Sequence, residues 1–207
     1  MADFKNMWEI ENTHFEHGVQ VICGVDEAGR GPLAGPVCAA AVILPAGLVI
    51  PGLDDSKKLS DKRRRELMPI IQENALAYGI AFASHEEIDQ INILQATFLA
   101  MERALAQLKI KPDLALIDGN RQKDFGINVE TVVKGDSRSA NIAAASVLAK
   151  VTRDNYMEEM AKAYPGYGFE IHKGYGTKAH YEALRNLGPS PIHRMTFLKE
   201  FYAANEA

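Results

Sequence analysis

Four acidic residues stand at the ends of predicted strands or in the turns that follow them, where a side chain projects from a rigid scaffold. Taken singly, Asp118 and Asp136 would be turn formers or helix caps, because aspartate favours both places. Several carboxylates that converge repel one another and raise each other's pKa, a cost that a divalent cation removes. The pattern therefore predicts one cation site made by Asp26, Glu27, Asp118 and Asp136.

The type of donor indicates which cation this site would hold. Hard oxygen ligands without cysteine or histidine select Mg²⁺ or Mn²⁺ rather than zinc. No two of the six histidines have the HExxH spacing of a zinc site. Two hard cations roughly 4 Å apart suit in-line hydrolysis of a phosphodiester, since one activates water while the other stabilises the leaving oxygen. The sequence thus predicts metal-dependent phosphodiester hydrolysis.

The glycine-rich turn at residues 29–35 offers a different interpretation, because GxGxxxG is one residue away from the dinucleotide-binding fingerprint and Asp54 lies at a suitable distance downstream. However, Pro32 removes an amide that should cradle the pyrophosphate, and the two acids before the turn would oppose its charge. An apolar run at residues 37–44 stands where a helix should follow. These features rank dinucleotide binding below phosphodiester chemistry.

Basic residues are concentrated locally although the net charge of the chain is −4. An acidic protein does not hold nucleic acid by bulk charge, but a local basic surface can meet spaced phosphates. His172 and His180 lie in the basic last third of the chain and are candidates for phosphate contact, against the ordinary alternative of surface histidines without function. The densest basic run, equally explained as a solvated helix face, comprises Lys57, Lys58, Lys62, Arg63, Arg64 and Arg65.

Alternating apolar runs and helical periodicities must position these groups. Strands are predicted at residues 21–25, 37–44, 78–83, 114–117 and 129–133. Helices are predicted at residues 60–77, 84–108, 139–163, 178–187 and 196–204. Ser60 and Ser84 are the expected N-caps of the first two helices, the latter in a capping box, and Pro69 should kink or break the first. The order of elements predicts an α/β domain with a helical C-terminal extension.

The composition narrows the class of protein further. With 207 residues, 47% hydrophobic and 24% charged, the chain can bury a core, which excludes a disordered tail or a disulfide-stapled miniprotein. No apolar run approaches the roughly 18 residues of a membrane span, and the first 18 residues lack the apolar stretch of a signal peptide. Cys23 and Cys38 form no CxxC motif and indicate a reducing compartment. We expect a soluble cytoplasmic protein.

At the level of motifs the chain resembles the ribonuclease HII family. The matching segments are GVDEAGRGPLAG (residues 24–35), DSKKLS (55–60), IDGN (117–120), VKGDS (133–137), AAASVLAKVTRD (143–154) and HKGYGT (172–177). They occur in the family's order over about residues 21–194, and the first is highly specific, whereas the alanine-rich segment alone is not. Pro69 and Met195, where a second arginine is common, depart from the pattern without touching the carboxylates.

This resemblance implies a fold and an activity. The fold would be RNase H-like, a mixed five-stranded sheet flanked by helices, with residues 19–164 as catalytic domain and 165–207 as a helical extension packed on it. The activity would be Mn²⁺- or Mg²⁺-dependent cleavage of the RNA strand in RNA–DNA hybrids and at ribonucleotides embedded in duplex DNA, with two ions during catalysis. The products would carry 5′-phosphate and 3′-hydroxyl ends.

The resemblance also implies roles for individual residues. Asp26, Glu27, Asp118 and Asp136 match the family's catalytic, metal-binding carboxylates. Tyr175 matches the tyrosine that stacks on the deoxyribose beside the ribonucleotide. The loop that senses the 2′-hydroxyl is matched by Gly29, Arg30 and Gly31, and positions near the substrate backbone are matched by Lys57 and Lys58.

Rival interpretations remain open on the sequence alone. Another nuclease or an integrase of the same superfold would share the acids but not the Gly-Arg-Gly loop together with Tyr175. A non-catalytic hybrid-binding module should have lost at least one carboxylate, and here all four positions are filled. The segment at residues 197–202 resembles a sliding-clamp peptide, although an amphipathic helix explains it better. We expect a monomer that binds no membrane.

Overall fold

The structure, a computed structural model, describes residues 6–205 and is built around one five-stranded sheet. The strand order is β3-β2-β1-β4-β5. β2 is antiparallel to both β1 and β3, whereas β1, β4 and β5 run parallel to one another. The predicted mixed five-stranded sheet is confirmed. Its strands are β1 (Ile22–Ala28), β2 (Val37–Ile43), β3 (Ala77–Ala83), β4 (Leu114–Asp118) and β5 (Asn128–Val132).

Seven α-helices accompany the sheet within the described residues, and two of them, α1 and α5, are not predicted from the sequence. The helices are α1 (Glu9–Glu16), α2 (Asp61–Asn74), α3 (His85–Ala106), α4 (Ala140–Ala163), α5 (Phe169–His172), α6 (Lys178–Leu187) and α7 (Lys199–Asn205). Short 3₁₀ turns lie at Asn6–Trp8, Gly135–Ser137 and Met195–Phe197. Within residues 6–205, no helix is both long and apolar enough to span a membrane.

Strand β2 explains why helices cover both faces of the sheet. Successive side chains of a strand point to opposite faces, and all seven residues of β2 are buried. Cys38, Ala40 and Val42 pack in one core with α2 and α4. Ala39 and Ala41 pack in a second core with α3. An uninterrupted apolar strand is therefore buried between two helical layers.

Helix α4 lies directly against the central strand because Gly24 has no side chain. A Cβ at Gly24 would lie only 2.1 Å from the backbone carbon of Asn141 at the start of this helix. The close approach lays α4 along β1, so that Ser146 and Lys150, further along the helix, reach the cleft that Asp26 and Asp118 line. The site at the sheet edge is therefore built partly from α4.

Two helices differ from their predicted form. Helix α2 continues through Pro69 as one helix, so of the predicted kink or break the break is absent. Helix α3 instead contains a non-helical residue, Asn92, with φ 66°. The Asn92 Oδ1 accepts hydrogen bonds from the amides of Leu94 and Gln95 at 3.0 and 3.2 Å. This side chain caps a second helical segment, which is why the chain can restart its helix there.

The C-terminal segment is joined to the β1–β2 loop by backbone hydrogen bonds. The Leu33 amide donates to the Gly174 carbonyl at 2.8 Å, and the Gly35 amide donates to the Ile192 carbonyl at 2.9 Å. The Arg194 amide in turn donates to the Leu33 carbonyl at 2.8 Å. The C-terminal part of the chain therefore helps to shape the loop that follows β1.

Candidate active site

Three of the four predicted carboxylates meet at one edge of the sheet. In the parallel pair β1–β4, Val25 lies opposite Ile117, so the next residues, Asp26 and Asp118, emerge side by side. Asp136 reaches the same place from the 3₁₀ turn that follows β5. One carboxylate oxygen from each of Asp26, Asp118 and Asp136 lies within 4.8 Å of the others. This grouping follows from the parallel strands, whose carboxyl ends share one edge.

Glu27 approaches the site from the other face of the sheet. It directly follows Asp26 along β1, and consecutive strand residues point to opposite faces. Its Oε1 accepts a hydrogen bond from Arg30 Nη1 at 3.3 Å. Glu27 lines the same cleft as Asp26 and Asp118, but it is not part of the compact group of three aspartates.

Burial and mutual repulsion make the ionised carboxylates unfavourable. Burial, followed by the charges of Glu27 and Asp118, raises the pKa of Asp26 well above its ordinary value. Burial and the charge of Asp118 also raise the pKa of Asp136. Burial raises the pKa of Glu27, although Arg30 counteracts part of this effect. A divalent cation would relieve the repulsion, so the electrostatics fit the predicted cation site.

Hydrogen bonds fix the orientation of these aspartates. The Glu27 amide donates to Asp26 Oδ1 at 2.7 Å, and the Gly135 amide donates to Asp118 Oδ1 at 2.6 Å. Lys57 Nζ contacts Asp136 Oδ2 at 3.2 Å. Each of these contacts engages one oxygen of its carboxylate, and Asp26 and Asp136 also have Ser146 and Asp55 as side-chain hydrogen-bond partners.

The glycine loop, through Gly29, Arg30 and Gly31, and Tyr175 line the same cleft as the aspartates, which has a volume of about 220 Å³. The Tyr175 side chain is 44% exposed. A Cβ at Gly31 would lie 3.6 Å from Tyr175 Cε1, so the loop and the ring face each other closely. The structure therefore brings these four predicted substrate residues together.

The two predicted lysines are separated by the structure. Lys57 lines the cleft beside the aspartates. Lys58 forms an exposed ion pair with Asp54, at 3.4 Å, and does not line that cleft. The alternation of side chains around the turn at residues 56–59 explains why adjacent lysines have different surroundings.

The predicted phosphate contact of His180 is wrong. His180 is fully buried, and its Nε2 lies 2.9 Å from Nε2 of His193. Both ring nitrogens of His172 are also engaged, one with the Tyr167 carbonyl and the other with the Gly174 amide. Their basic sequence neighbourhood suggested exposure, but the aromatic packing around Phe169 buries this cluster.

Three polar side chains in the cleft were not singled out from the sequence. Ser146 and Lys150 lie one turn apart on α4 and both face the cleft, where Ser56 also lies. The Ser56 and Ser146 hydroxyls are 2.6 Å apart, and Lys150 Nζ contacts Asp154 at 2.7 Å. The i, i+4 spacing of a serine and a lysine in the alanine-rich first half of α4 is the signal that would have marked Ser146 and Lys150.

Comparisons with known proteins agree over most of the chain. The sequence model of the ribonuclease HII family matches residues 23–200. Ribonuclease HII of Endomicrobium trichonymphae is 57% identical over 195 residues, which are 94% of this chain and 93% of that protein. Ribonuclease H2 from Pyrococcus horikoshii OT3 has a TM-score of 0.71 at 28% identity, covering 86% of this chain and 93% of that chain. A chain of the PCNA:RNase HII complex from Archaeoglobus fulgidus has a TM-score of 0.68 at 25% identity, covering 85% of this chain and 94% of that chain.

The sheet order and the carboxylates at its edge define a nuclease of the RNase H-like class. Within that class, the match over residues 23–200 is decisive. The chain belongs to the ribonuclease HII family and is a metal-dependent endoribonuclease. No comparison favours the alternatives of an integrase, another nuclease or a non-catalytic hybrid-binding module.

Proposed function

We propose that this chain cleaves the RNA strand of RNA–DNA hybrids and cuts at single ribonucleotides in duplex DNA, leaving 5′-phosphate and 3′-hydroxyl ends. The observation that carries the proposal is the grouping of three aspartate oxygens within 4.8 Å, at a cleft that is also lined by Gly29–Gly31 and Tyr175. The carboxylates that would support hydrolysis and the residues that would recognise a ribose thus lie at one cleft.

The aspartates fit hard divalent cations, because their donors are carboxylate oxygens whose repulsion a cation would relieve. Asp26, Asp118 and Asp136 would hold Mg²⁺ or Mn²⁺, and Glu27 would contribute from the opposite face. When two such ions are bound, they supply an activated water and stabilise charge on the leaving oxygen. We infer two ions because one phosphodiester hydrolysis uses both functions.

The other cleft residues would bind and orient the substrate. Lys57 offers a point charge to a backbone phosphate beside the aspartates, whereas exposed Lys58 would anchor a more distant phosphate. The bare backbone at Gly29 and Gly31 can approach a ribose closely. Tyr175 presents an exposed ring suited to stacking on the neighbouring deoxyribose.

Residues 165–207 would act with residues 19–164 as one functional unit, because the C-terminal part contributes Tyr175 and holds the β1–β2 loop. We propose a monomer. A clamp-binding role for residues 197–202 is weakened by packing, since Leu198 is fully buried and Phe197 packs beside it. Titration with a labelled sliding clamp should therefore show no binding that depends on Phe197.

The test uses three duplexes of one sequence: all DNA, DNA with a single ribonucleotide, and DNA with a run of ribonucleotides in one strand. Each is incubated with the purified chain and either Mn²⁺ or Mg²⁺, and the product ends are identified. We expect cleavage of both ribonucleotide duplexes and of neither strand of the all-DNA duplex. Cleavage of the DNA duplex, or products with 3′-phosphate ends, would contradict the proposal.

A further inference from the structure

Two arginines lie fully buried beneath the β1–β2 loop. Arg153 projects from α4 and Arg194 from the C-terminal segment, and both side chains are 0% exposed. Within residues 6–205, neither guanidinium forms an ion pair with a carboxylate; both donate to backbone carbonyls. Burying an unpaired charge is costly, so a structure that retains two of them side by side requires an explanation beyond packing.

Arg194 holds the loop through three carbonyl groups. Its Nη2 donates to the Gly29 carbonyl at 2.6 Å, its Nη1 to the Arg30 carbonyl at 2.8 Å, and its Nε to the Gly35 carbonyl at 2.8 Å. The two Nη contacts engage successive peptide groups. A planar guanidinium with donors in a fixed fork can hold both peptides in one orientation, which a lysine ammonium cannot do.

The direction of these carbonyls determines the direction of the next amides. In a trans peptide the C=O and the following N–H point to opposite sides. Since the carbonyls of Gly29 and Arg30 point inward to Arg194, the amides of Arg30 and Gly31 point away from it, on the side where both residues line the cleft. Within the described part of the chain, neither amide donates a hydrogen bond.

We propose that Arg194 is a positioning residue for ribonucleotide specificity: it holds the Arg30 and Gly31 amides as a preformed pair of donors for the 2′-oxygen of the substrate ribose. This inference rests on the proposed function, because it assigns a cause to the recognition that the loop would perform. Successive amides that point in one direction form a concave donor site for an oxygen ligand.

Arg153 joins the same loop to the segment that carries Tyr175. Its Nε and Nη2 donate to the carbonyls of Pro36 and Ala34, at 2.9 and 3.1 Å, and its Nη1 donates to the Lys173 carbonyl at 3.1 Å. A Cβ at Gly29 would lie 1.8 Å from Arg153 Nε. The two arginines therefore fix the Arg30 and Gly31 amides relative to the segment that carries Tyr175.

The test compares Arg194→Lys, which keeps the charge but loses the fork, with Arg194→Met, which keeps bulk but loses all donors. Arg103→Lys is the matched control, because Arg103 also donates to a carbonyl, that of Phe82, far from the cleft. Affinities for the single-ribonucleotide duplex and the all-DNA duplex are measured in EDTA, so that no cleavage occurs. Circular dichroism and thermal unfolding establish that each variant is folded.

We expect the unaltered protein and Arg103→Lys to prefer the ribonucleotide duplex. Both Arg194 variants should lose about tenfold of that preference, the scale of one hydrogen bond between a backbone amide and the 2′-oxygen, with all-DNA affinity unchanged. A folded Arg194→Lys variant with full preference would overturn the proposal. Equal losses on both duplexes would also overturn it, since they would place a phosphate oxygen rather than the 2′-oxygen at the amides.

Failure of the proposed function is recognised separately, because the unaltered protein would then cleave no ribonucleotide duplex with Mn²⁺ or Mg²⁺. If neither Arg194 variant folds, the amide resonances of the unaltered protein decide the question. The Arg30 and Gly31 signals should shift more with the ribonucleotide duplex than with the all-DNA duplex. Equal shifts with both duplexes would overturn the proposal.

Discussion

The negative charge of Asp26 is unfavourable in the protein without a bound cation. Burial and the neighbouring charges of Glu27 and Asp118 raise its pKa well above the ordinary value. A carboxyl group with a raised pKa costs stability once it is ionised at neutral pH. In the proposed function, a bound cation would remove this cost to folding stability.

Asp26→Asn should separate these two effects. We expect cleavage to fall about a thousandfold or more, because an amide binds hard cations weakly and the bound ions supply several kcal/mol of transition-state stabilisation. In EDTA the variant should unfold at a higher temperature than the unaltered protein, and Mn²⁺ should stabilise it less. The control is Asp124→Asn, an exposed aspartate that accepts from the Gly126 amide. Turnover with Mg²⁺ at the normal rate would remove Asp26 from the cation site.

Lys57 and Lys58 form a natural pair for testing phosphate binding. Replacing either with alanine should reduce the slope of log affinity against log salt by roughly one unit for each phosphate that the variant no longer neutralises. The cleavage position should not change, because phosphate contacts position a substrate without reading it. Only Lys57→Ala should also lower the cleavage rate of bound substrate, since only Lys57 contacts Asp136. A shifted cleavage position would assign the lysine to recognition.

Tyr175 should matter most where a deoxyribose adjoins the ribonucleotide. Aromatic stacking contributes about 1–3 kcal/mol, so Tyr175→Ala should lose roughly one to two orders of magnitude in cleavage of a single embedded ribonucleotide. Tyr175→Phe keeps the ring and should retain more activity. An all-RNA strand paired with DNA offers no deoxyribose there, so the alanine variant should lose less on it. Equal losses on both substrates would mean that Tyr175 supports the loop instead.

At the scale of elements, the break in α3 depends on one side chain. Asn92 has a left-handed φ of 66° and caps two following amides. Asn92→Ala should lower the free energy of unfolding by about 1–2 kcal/mol, since alanine neither caps a helix nor favours positive φ. Denaturant unfolding measures this change. Asn74→Ala, which removes a hydrogen bond to the Ile70 carbonyl at the end of α2, should cost less.

The N-terminal helix α1 contacts the start of α4 through Glu11. Glu11 is fully buried, and its Oε1 accepts hydrogen bonds from the Ser139 hydroxyl at 2.6 Å and from Asn141 Nδ2 at 3.1 Å. Burial raises the pKa of Glu11. This contact fixes the amino end of α4 directly after the turn that carries Asp136, so α1 supports the site from a distance.

At the scale of the whole molecule, the buried residues His180 and His193 form a chain of hydrogen bonds, here called the histidine relay, that connects the C-terminal segments. The Ser190 amide donates to His193 Nδ1 at 2.8 Å, so the proton of neutral His193 lies on Nε2 and is donated to His180 Nε2. His180 Nδ1 then donates to the Tyr175 carbonyl at 2.9 Å. Each ring is therefore neutral, and adding a proton to either one removes an acceptor.

This relay predicts how stability depends on pH. Burial lowers the pKa of His180 and of His193 from 6.5 to about 4. Between these values the unfolded chain binds protons that the folded protein does not, so the free energy of unfolding should fall as pH drops from about 6.5 to about 4. One such histidine accounts for up to roughly 3 kcal/mol, and the two are not additive because they share a hydrogen bond.

The measurement is denaturant unfolding at a series of pH values. His180→Asn keeps a donor for the Tyr175 carbonyl but has no titrating ring, so its stability should depend less steeply on pH in this interval. His17, an exposed histidine at the end of α1, provides the control substitution His17→Asn. An unchanged slope in His180→Asn would show that other groups cause the acid sensitivity.

The sequence by itself determined what depends on neighbours along the chain. Apolar runs specified the strands, and the capping box at Ser84 formed as expected, with the Glu87 amide bonded to the Ser84 hydroxyl and the Ser84 amide bonded to the Glu87 carboxylate. The placement of Asp118 at a strand end followed from the same local patterns, whereas β1 continues to Ala28, beyond the predicted end at residue 25, so that Asp26 lies within the strand. Family motifs added the activity and the residues of the loop.

Only the tertiary structure decided which of these residues meet. Asp136 joins Asp26 and Asp118 in one compact group, whereas Glu27 lines the same cleft outside that group. His180 is buried although its neighbourhood is basic. Arg194 holds Gly29, 165 positions earlier in the chain. Burial and hydrogen-bond partners arise from contacts between segments far apart in sequence, and no local periodicity encodes such contacts.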